Sequence, residues 1–178
     1  HHTFFKGCTL KNFMKKKITI VDYGLGNILS AQQSFLKVIK EKSLDAEVTI
    51  SNSPNEILES SHIVLPGQGA FKSCMEGLED ISGMVKALEK SVLVNKKPFL
   101  GICVGMQLLA EFGFENGKHA GLGWIKGSVK RIDFENLKLP HMGWNNIKIV
   151  NNFNKMIFSQ ENKDFYFVHS YFFECLNK

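Results

Sequence analysis

The sequence predicts an α/β protein built on a mostly parallel sheet with an antiparallel extension on its C-terminal side. Three observations carry this. Short, almost wholly apolar strand patterns alternate four times with helical patterns between residues 17 and 112. Strands buried on both faces read as continuous apolar runs, which is the signature of a parallel sheet covered by helices. After about residue 113 the texture changes to β-rich segments with few helical signals.

The first element is "KITIVDYG" (17–24), a β-branched run closed by Gly24. "GNILSAQQSFLKVIKEK" (26–42) follows, with Ile28, Ala31, Phe35, Val38 and Ile39 at three- and four-residue steps, one face of a helix. "AEVTI" (46–50) is the next strand, and Ser53-Pro54 opens a short helix with proline in its favoured first turn. "HIVLPG" (62–67) is a strand closed by Pro66-Gly67. Residues 69–96 are helical, with breaks expected near Gly77 and Gly83. "KPFLGIC" (97–103) is a strand and "VGMQLLAEF" (104–112) a helix. "FENGKHAGLGWIKG" (114–127) is a glycine-rich loop, and "SVKRIDF", "NNIKIV" and "DFYFVHSYFFE" are strands expected to extend the same sheet.

The chain has 178 residues, 44% of them hydrophobic, enough for one compact domain with its own core. No apolar stretch reaches the roughly 18 to 20 residues that span a bilayer. Of the 22 basic residues, five (Lys6, Lys11, Lys15, Lys16, Lys17) precede the first acid, Asp22, and the remainder balance the 17 acids. The body is formally neutral, which is no footprint for a nucleic-acid surface. Residues 1–13, "HHTFFKGCTLKNF", read as a tag remnant and scar, with Met14 as the native start of a single domain over 14–178. Cys8, Cys74, Cys103 and Cys175 show neither a framework spacing nor a C-x-x-C pair. Free thiols in a reducing, cytoplasmic setting are expected, and neither a metal nor a cofactor is called for.

Four stretches can carry chemistry. In "GICVGMQ" (101–107), Cys103 stands between Gly101 and Gly105 where a strand turns into a helix. This is the G-x-nucleophile-x-G pattern, whose sharp turn demands small neighbours. A thiol there faces the helix dipole, and the Val104 N–H can meet the oxygen of an attacked carbonyl. A small buried core cysteine is the alternative. In "LPGQGAF" (65–71), Gly67, Gln68 and Gly69 offer backbone N–H groups to an oxyanion or a carboxylate, or form a plain turn. Both loops fall at carboxyl ends of parallel strands, where ligands bind in such sheets. "PHMGWN" (140–145) reads as a recognition surface or as a core tryptophan beside an incidental histidine. "FVHSYFF" (167–173) places His169 among apolar residues, a pattern that also suits a structural histidine. "YGLGN" (23–27) is no dinucleotide fingerprint, because Leu29 stands where the third glycine belongs.

Taken together, "VDYGLGN", "LPGQGAF", "KPFLGICVGMQLL", "GLGWIKGSVKRI", "PHMGWNNI" and "FYFVHSY" resemble, in order, the motifs of class I glutamine amidotransferases. The closest resemblance is to the glutaminase subunits of imidazole glycerol phosphate synthases, and it runs from about residue 17 to the end. It implies a three-layer, flavodoxin-like fold. It implies that Cys103 attacks the side-chain amide of L-glutamine, giving a γ-glutamyl thioester and ammonia, and that water then releases glutamate. Gly67, Gln68 and Gly69 match the oxyanion strand, with Val104 as the second donor. Gln107 matches a substrate-holding residue, and Ser170 and Tyr171 match positions whose backbone binds the glutamine carboxylate and amine. Gly26, Asn27, His141 and Trp144 match surfaces facing a (β/α)8 cyclase partner in a heterodimer. Ammonia would pass through that barrel to form imidazole glycerol phosphate and AICAR in histidine biosynthesis. No nucleic acid and no membrane is implied.

Two departures are small: Val104 where the family usually has leucine, and Gln68 where it usually has valine. A third is larger. The family completes its triad with a His-Pro-Glu motif, and these 178 residues contain none. The expectation is that the C-terminal segment is lacking and that activity depends on it. Related readings are a paralogue supplying ammonia for bacterial surface-sugar amidation, or a catalytically silent regulatory subunit.

Overall fold

The structure, a computed structural model, describes residues 15–133, 138–147 and 164–176. The segment read as a tag and scar lies outside them. The chain divides into two compact units. One comprises residues up to Gly69 with Glu76–Met106, the other Ala70–Met75 with Gln107 onward.

The first unit is a doubly wound parallel sheet. Its strands are β1 (Lys16–Val21), β2 (Ala46–Ser51), β3 (His62–Gly67) and β4 (Phe99–Cys103), in spatial order β2-β1-β3-β4. All its ladders are parallel. Helices α1 (Ile28–Glu41) and α2 (Pro54–Glu59) are the crossovers β1→β2 and β2→β3. Helix α3 (Phe71–Glu79), α4 (Met84–Glu89) and a π-helical turn (Lys90–Val94) lie between β3 and β4 in the chain. Ile20, Val21, Ile63, Val64 and Leu65 of the two central strands are buried, as are Ile57, Leu78, Met84 and Leu88 on the helices. Thr19 is the polar exception inside β1. Its hydroxyl lies 2.6 Å from Ser60 Oγ and 3.2 Å from Thr49 Oγ1, so burial leaves no polar atom unpaired there.

Helix α1 keeps its predicted face, with Ile28, Ala31, Phe35 and Ile39 half-buried, but Val38 is 49% exposed. At 100° per residue Val38 lies well round from Phe35 and Ile39, at the margin of the stripe. Gly77 does not break α3, which runs on to Glu79. A Cβ there would lie 3.0 Å from the Tyr23 carbonyl oxygen, so this glycine serves close packing rather than a turn. The break falls at Gly83, with φ +84°.

In the second unit, β5 (Ala110–Gly113), β6 (His119–Ala120), β7 (Ile125–Arg131) and β10 (Tyr171–Cys175) form a mixed sheet in the order β10-β7-β5-β6. β8 (His141–Asn146) and β9 (Asp164–His169) form a two-stranded antiparallel ladder. The antiparallel strands expected after residue 113 are present, but in ladders of their own rather than continuing the parallel sheet. The helix expected over 104–112 is also shorter. Helix α5 (Val104–Gln107) is a single turn, and Ala110–Gly113 is strand. Leu108, Leu109 and Ala110 are all buried, and a continuous apolar run of that length suits a buried strand as well as a helix. β7 begins at Ile125, within the expected loop, and "DFYFVHSYFFE" divides at Ser170 into β9 and β10. Of "NNIKIV", Asn145 and Asn146 close β8, and residues 148–150 lie outside the described segments. Phe71 is fully buried. Cβ atoms added to Gly113 and Gly121 would meet its ring at 2.5 Å and 3.1 Å, so both glycines leave room for it.

One group in the first unit ties stability to pH. Burial, and then the Lys16 charge, lower the pKa of His62 below the usual histidine value. The unfolded chain therefore binds this proton more readily than the folded one. The advantage of the neutral ring is complete above the ordinary histidine range and is lost as pH falls from there through the lowered folded-state value. His62→Gln is expected to reduce the drop in thermal midpoint between about pH 8 and about pH 5. An unchanged drop, followed by circular dichroism, would count against this assignment.

Candidate active site

The parallel ladder of β3 and β4 pairs Gly67 with Cys103, the last residue of each strand. Neighbouring strands lie about 4.8 Å apart, so the loop after β3 and the turn after β4 start side by side. Cys103 has φ +55° and is exposed. A non-glycine residue in this left-handed region is strained by about 1–2 kcal/mol, and the strain turns the chain sharply from β4 into α5. The bare sequence left Cys103 as a nucleophile or a core residue. Its exposure and backbone favour the first reading.

The glycines around it are required by contact rather than by flexibility. A Cβ on Gly105 would lie 1.9 Å from the Leu65 carbonyl oxygen, one on Gly67 would lie 2.4 Å from Gly105 N, and one on Gly101 would lie 2.6 Å from Met106 Cα. The first turn of α5 is thus pressed against the end of β3, with Val104 buried beneath it. Beyond Gly67, Gln68 and Gly69 are exposed, and Gly69 has φ +102°. The loop expected to supply N–H groups is exposed, while the strand that carries it is buried. With α5 reduced to one turn, few peptide dipoles align behind Cys103. Local N–H groups, rather than a long helix, are what this turn offers an anion.

The loop 22–27 meets the same strand ends. The buried Tyr23 hydroxyl donates to the Pro66 carbonyl at 2.6 Å. A Cβ on Gly26, at φ +139°, would touch Pro66 Cβ at 3.3 Å. Asn27, expected at a partner surface, uses its side-chain oxygen to cap α1 through the Ser30 N–H at 3.3 Å. Tyr23 was not singled out in the sequence, although "VDYG" at a strand end could have marked it.

The remaining expected residues belong to the second unit. Gln107 is 9% exposed. Ser170 stands alone between β9 and β10. The Ser170 carbonyl accepts the Ile132 N–H at 2.9 Å, so Tyr171, opposite Arg131, takes the next, non-hydrogen-bonded place in the ladder. Its N–H and C=O therefore point away from β7. His141 and Trp144 project from opposite faces of the β8–β9 ladder, since side chains alternate along a strand. His141 is stacked on Phe167 at 4.9 Å. Trp144, 73% exposed, meets Tyr166 edge-on at 5.6 Å, with Met142 and Val168 exposed on the same face. Glu115 was also missed. Its carboxylate accepts the Phe71 N–H at 2.8 Å, two residues beyond Gly69 in the chain, and no local sequence signal marks it.

Residues 20–177 match the family described as glutamine amidotransferase class-I. The chain is 48% identical over 159 residues to "Imidazole glycerol phosphate synthase subunit HisH" of Pelagibacter ubique, covering 88% of this chain and 74% of that protein. It is 43% identical to the protein of the same description in Rhodospirillum rubrum, covering 88% and 75%. The like-named Zymomonas mobilis protein is 45% identical, covering 92% and 75%.

The turn's geometry fixes two outcomes. Gly105→Ala forces a methyl into the Leu65 carbonyl and should destabilise the protein by at least about 2 kcal/mol in urea unfolding. Cys103→Gly relieves the positive φ and should be more stable than Cys103→Ala by about 1 kcal/mol, despite the greater freedom of its unfolded chain. Equal midpoints for the last two would show that the turn is unstrained.

Proposed function

This chain belongs to the class-I glutamine amidotransferases, within the HisH subunits of imidazole glycerol phosphate synthase, and we propose that its chemistry is centred on Cys103. It is the glutamine-hydrolysing subunit for histidine biosynthesis. The observation that carries the site is the exposed Cys103 at φ +55°, level with Gly67 across the β3–β4 ladder.

The thiolate of Cys103 attacks the side-chain carbonyl carbon of L-glutamine. The C–N bond breaks, ammonia departs with an added proton, and a γ-glutamyl thioester remains. Water attacks the thioester, the C–S bond breaks, and glutamate leaves. Each tetrahedral intermediate carries an oxyanion. The Val104 N–H and the backbone of the Gly67–Gly69 loop are the donors for it, and donors held before the charge develops need not reorganise. Proton transfer in this chemistry is the work of a base held by a carboxylate. The family's His-Pro-Glu motif fills that role, and no residue of this sequence is assigned to it.

Gln107, Ser170 and the outward-facing backbone of Tyr171 hold the glutamine. Gly26 and Asn27, and separately the β8–β9 ladder, form surfaces for a (β/α)8 cyclase subunit that consumes the ammonia. Support for the ladder is the apolar face of Met142, Trp144, Tyr166 and Val168, all more than half exposed. Exposed aromatic and methionine clusters of this kind mark contact surfaces. His141, also expected at the partner surface, lies on the opposite face of the ladder, stacked on Phe167. No helix among the described residues is long and apolar enough to cross a membrane. Cys103 and Cys175 are exposed thiols outside any disulfide, which suits a cytoplasmic setting.

In the complex with the cyclase, Cys103→Ala is expected to abolish glutamine-dependent turnover and to spare turnover with added ammonium. Loss of both would make Cys103 a structural residue, and survival of the first would remove it from the reaction.

A further inference from the structure

The chain leaves the β8–β9 ladder and enters the β10–β7 ladder across one residue, Ser170. Such a joint is a weak place to hold a ligand, because neither ladder fixes both of its flanks. Two histidines span it. His169, the last residue of β9, directs Nδ1 to the Tyr171 carbonyl at 2.9 Å. Its Nε2 lies 3.1 Å from Nδ1 of His141, its register partner on β8. The His141 ring is held in turn by stacking on Phe167, with an interplanar angle of 25°.

The carbonyl fixes the direction of this chain. A carbonyl only accepts, so His169 Nδ1 carries the proton. In the neutral ring Nε2 is then an acceptor, and His141 Nδ1–H is its donor. Protons thus run from His141 to His169 to the Tyr171 carbonyl. Among the described residues that carbonyl has no ladder partner, because Tyr171 is at a non-hydrogen-bonded position relative to β7. Fixing the carbonyl fixes the peptide plane, and with it the Tyr171 backbone that the proposed reading gives to glutamine.

We infer that His141 and His169 form a positioning pair that sets the Ser170–Tyr171 backbone for glutamine, with His169 Nδ1–H as the contact that matters. The inference rests on the proposed substrate role of Ser170 and Tyr171. The two histidines touch no reacting atom. Because His141 shares β8 with Trp144, the pair also ties the exposed apolar face to the substrate backbone through one strand.

The side-chain amides of asparagine and glutamine separate the two ring nitrogens. An asparagine amide can occupy the place of Nδ1, and a glutamine amide the place of Nε2. The experiment is calorimetric titration of L-glutamine into the full chain carrying Cys103→Ala, which binds without turning over. His169→Asn keeps the donor to the Tyr171 carbonyl and should stay within about threefold of the parent Kd. His169→Gln loses it and should weaken binding at least about tenfold, the usual cost of one oriented hydrogen bond. His141→Asn should likewise be mild and His141→Phe, which keeps the stacking, more severe. Equal Kd values within each pair would overturn the inference. Ring-nitrogen NMR of the parent gives a test that needs no variant to fold: an Nε2–H tautomer of His169 overturns it as well. A parent that binds no glutamine would instead strike at the proposed function.

Discussion

The chemistry proposed for Cys103 depends on how closely the turn after β4 lies against the end of β3. Backbone meets backbone there, with room for no side chain at Gly105, Gly67 or Gly101. That contact holds Cys103 in a left-handed conformation it would not adopt alone. The same contact brings the Val104 N–H and the Gly67–Gly69 loop to one end of one sheet. The buried strand β3, paired on both sides, lies beneath them, so the strain rests on firm support. An exposed thiol on a loop of its own would have neither fixed donors nor a fixed direction of attack.

The strand order β2-β1-β3-β4 gives this arrangement its place. β1 and β3 are adjacent, and their crossovers leave in opposite directions along the sheet, which opens a crevice at their carboxyl ends. Tyr23 reaches from the end of β1 to the Pro66 carbonyl and fastens two of the loops there. Three loops of different sequence distance therefore share one end of the sheet for a topological reason, and the proposed glutamine site is placed at that end.

The second unit works by a different means. Its strands fall into two separate ladders, and the backbone proposed to hold substrate falls on the joint between them. Where a long strand would fix a peptide by its own ladder, this joint relies on side chains. His169 closes the gap over Ser170, His141 holds His169, and Phe167 holds His141 in turn. A lone histidine among apolar residues is an ordinary structural pattern in sequence. Its meaning here comes from a partner 28 positions away, which only folding brings near.

The parallel sheet, the glycine-flanked cysteine and the family's motifs were legible in the sequence because each is local. Apolar runs, helical spacing and small residues at a tight turn act over a few neighbours. The single-turn α5 was not legible, since Leu108–Ala110 satisfies a helix and a buried strand alike until β7 pairs with it. Val38 at the margin of α1, and Gly77 packed on Tyr23 instead of breaking α3, were hidden for the same reason. Glu115 gave no sign at all, because its partner, the Phe71 N–H, lies 44 residues back in the chain. By itself the sequence determined which residues are able to react and the four strands of the parallel sheet. Tertiary structure alone decided the sign of φ at Cys103, the separation of the antiparallel strands into ladders of their own, and the hydrogen-bonded direction of His169, because each is set by contacts between segments that the chain order keeps apart.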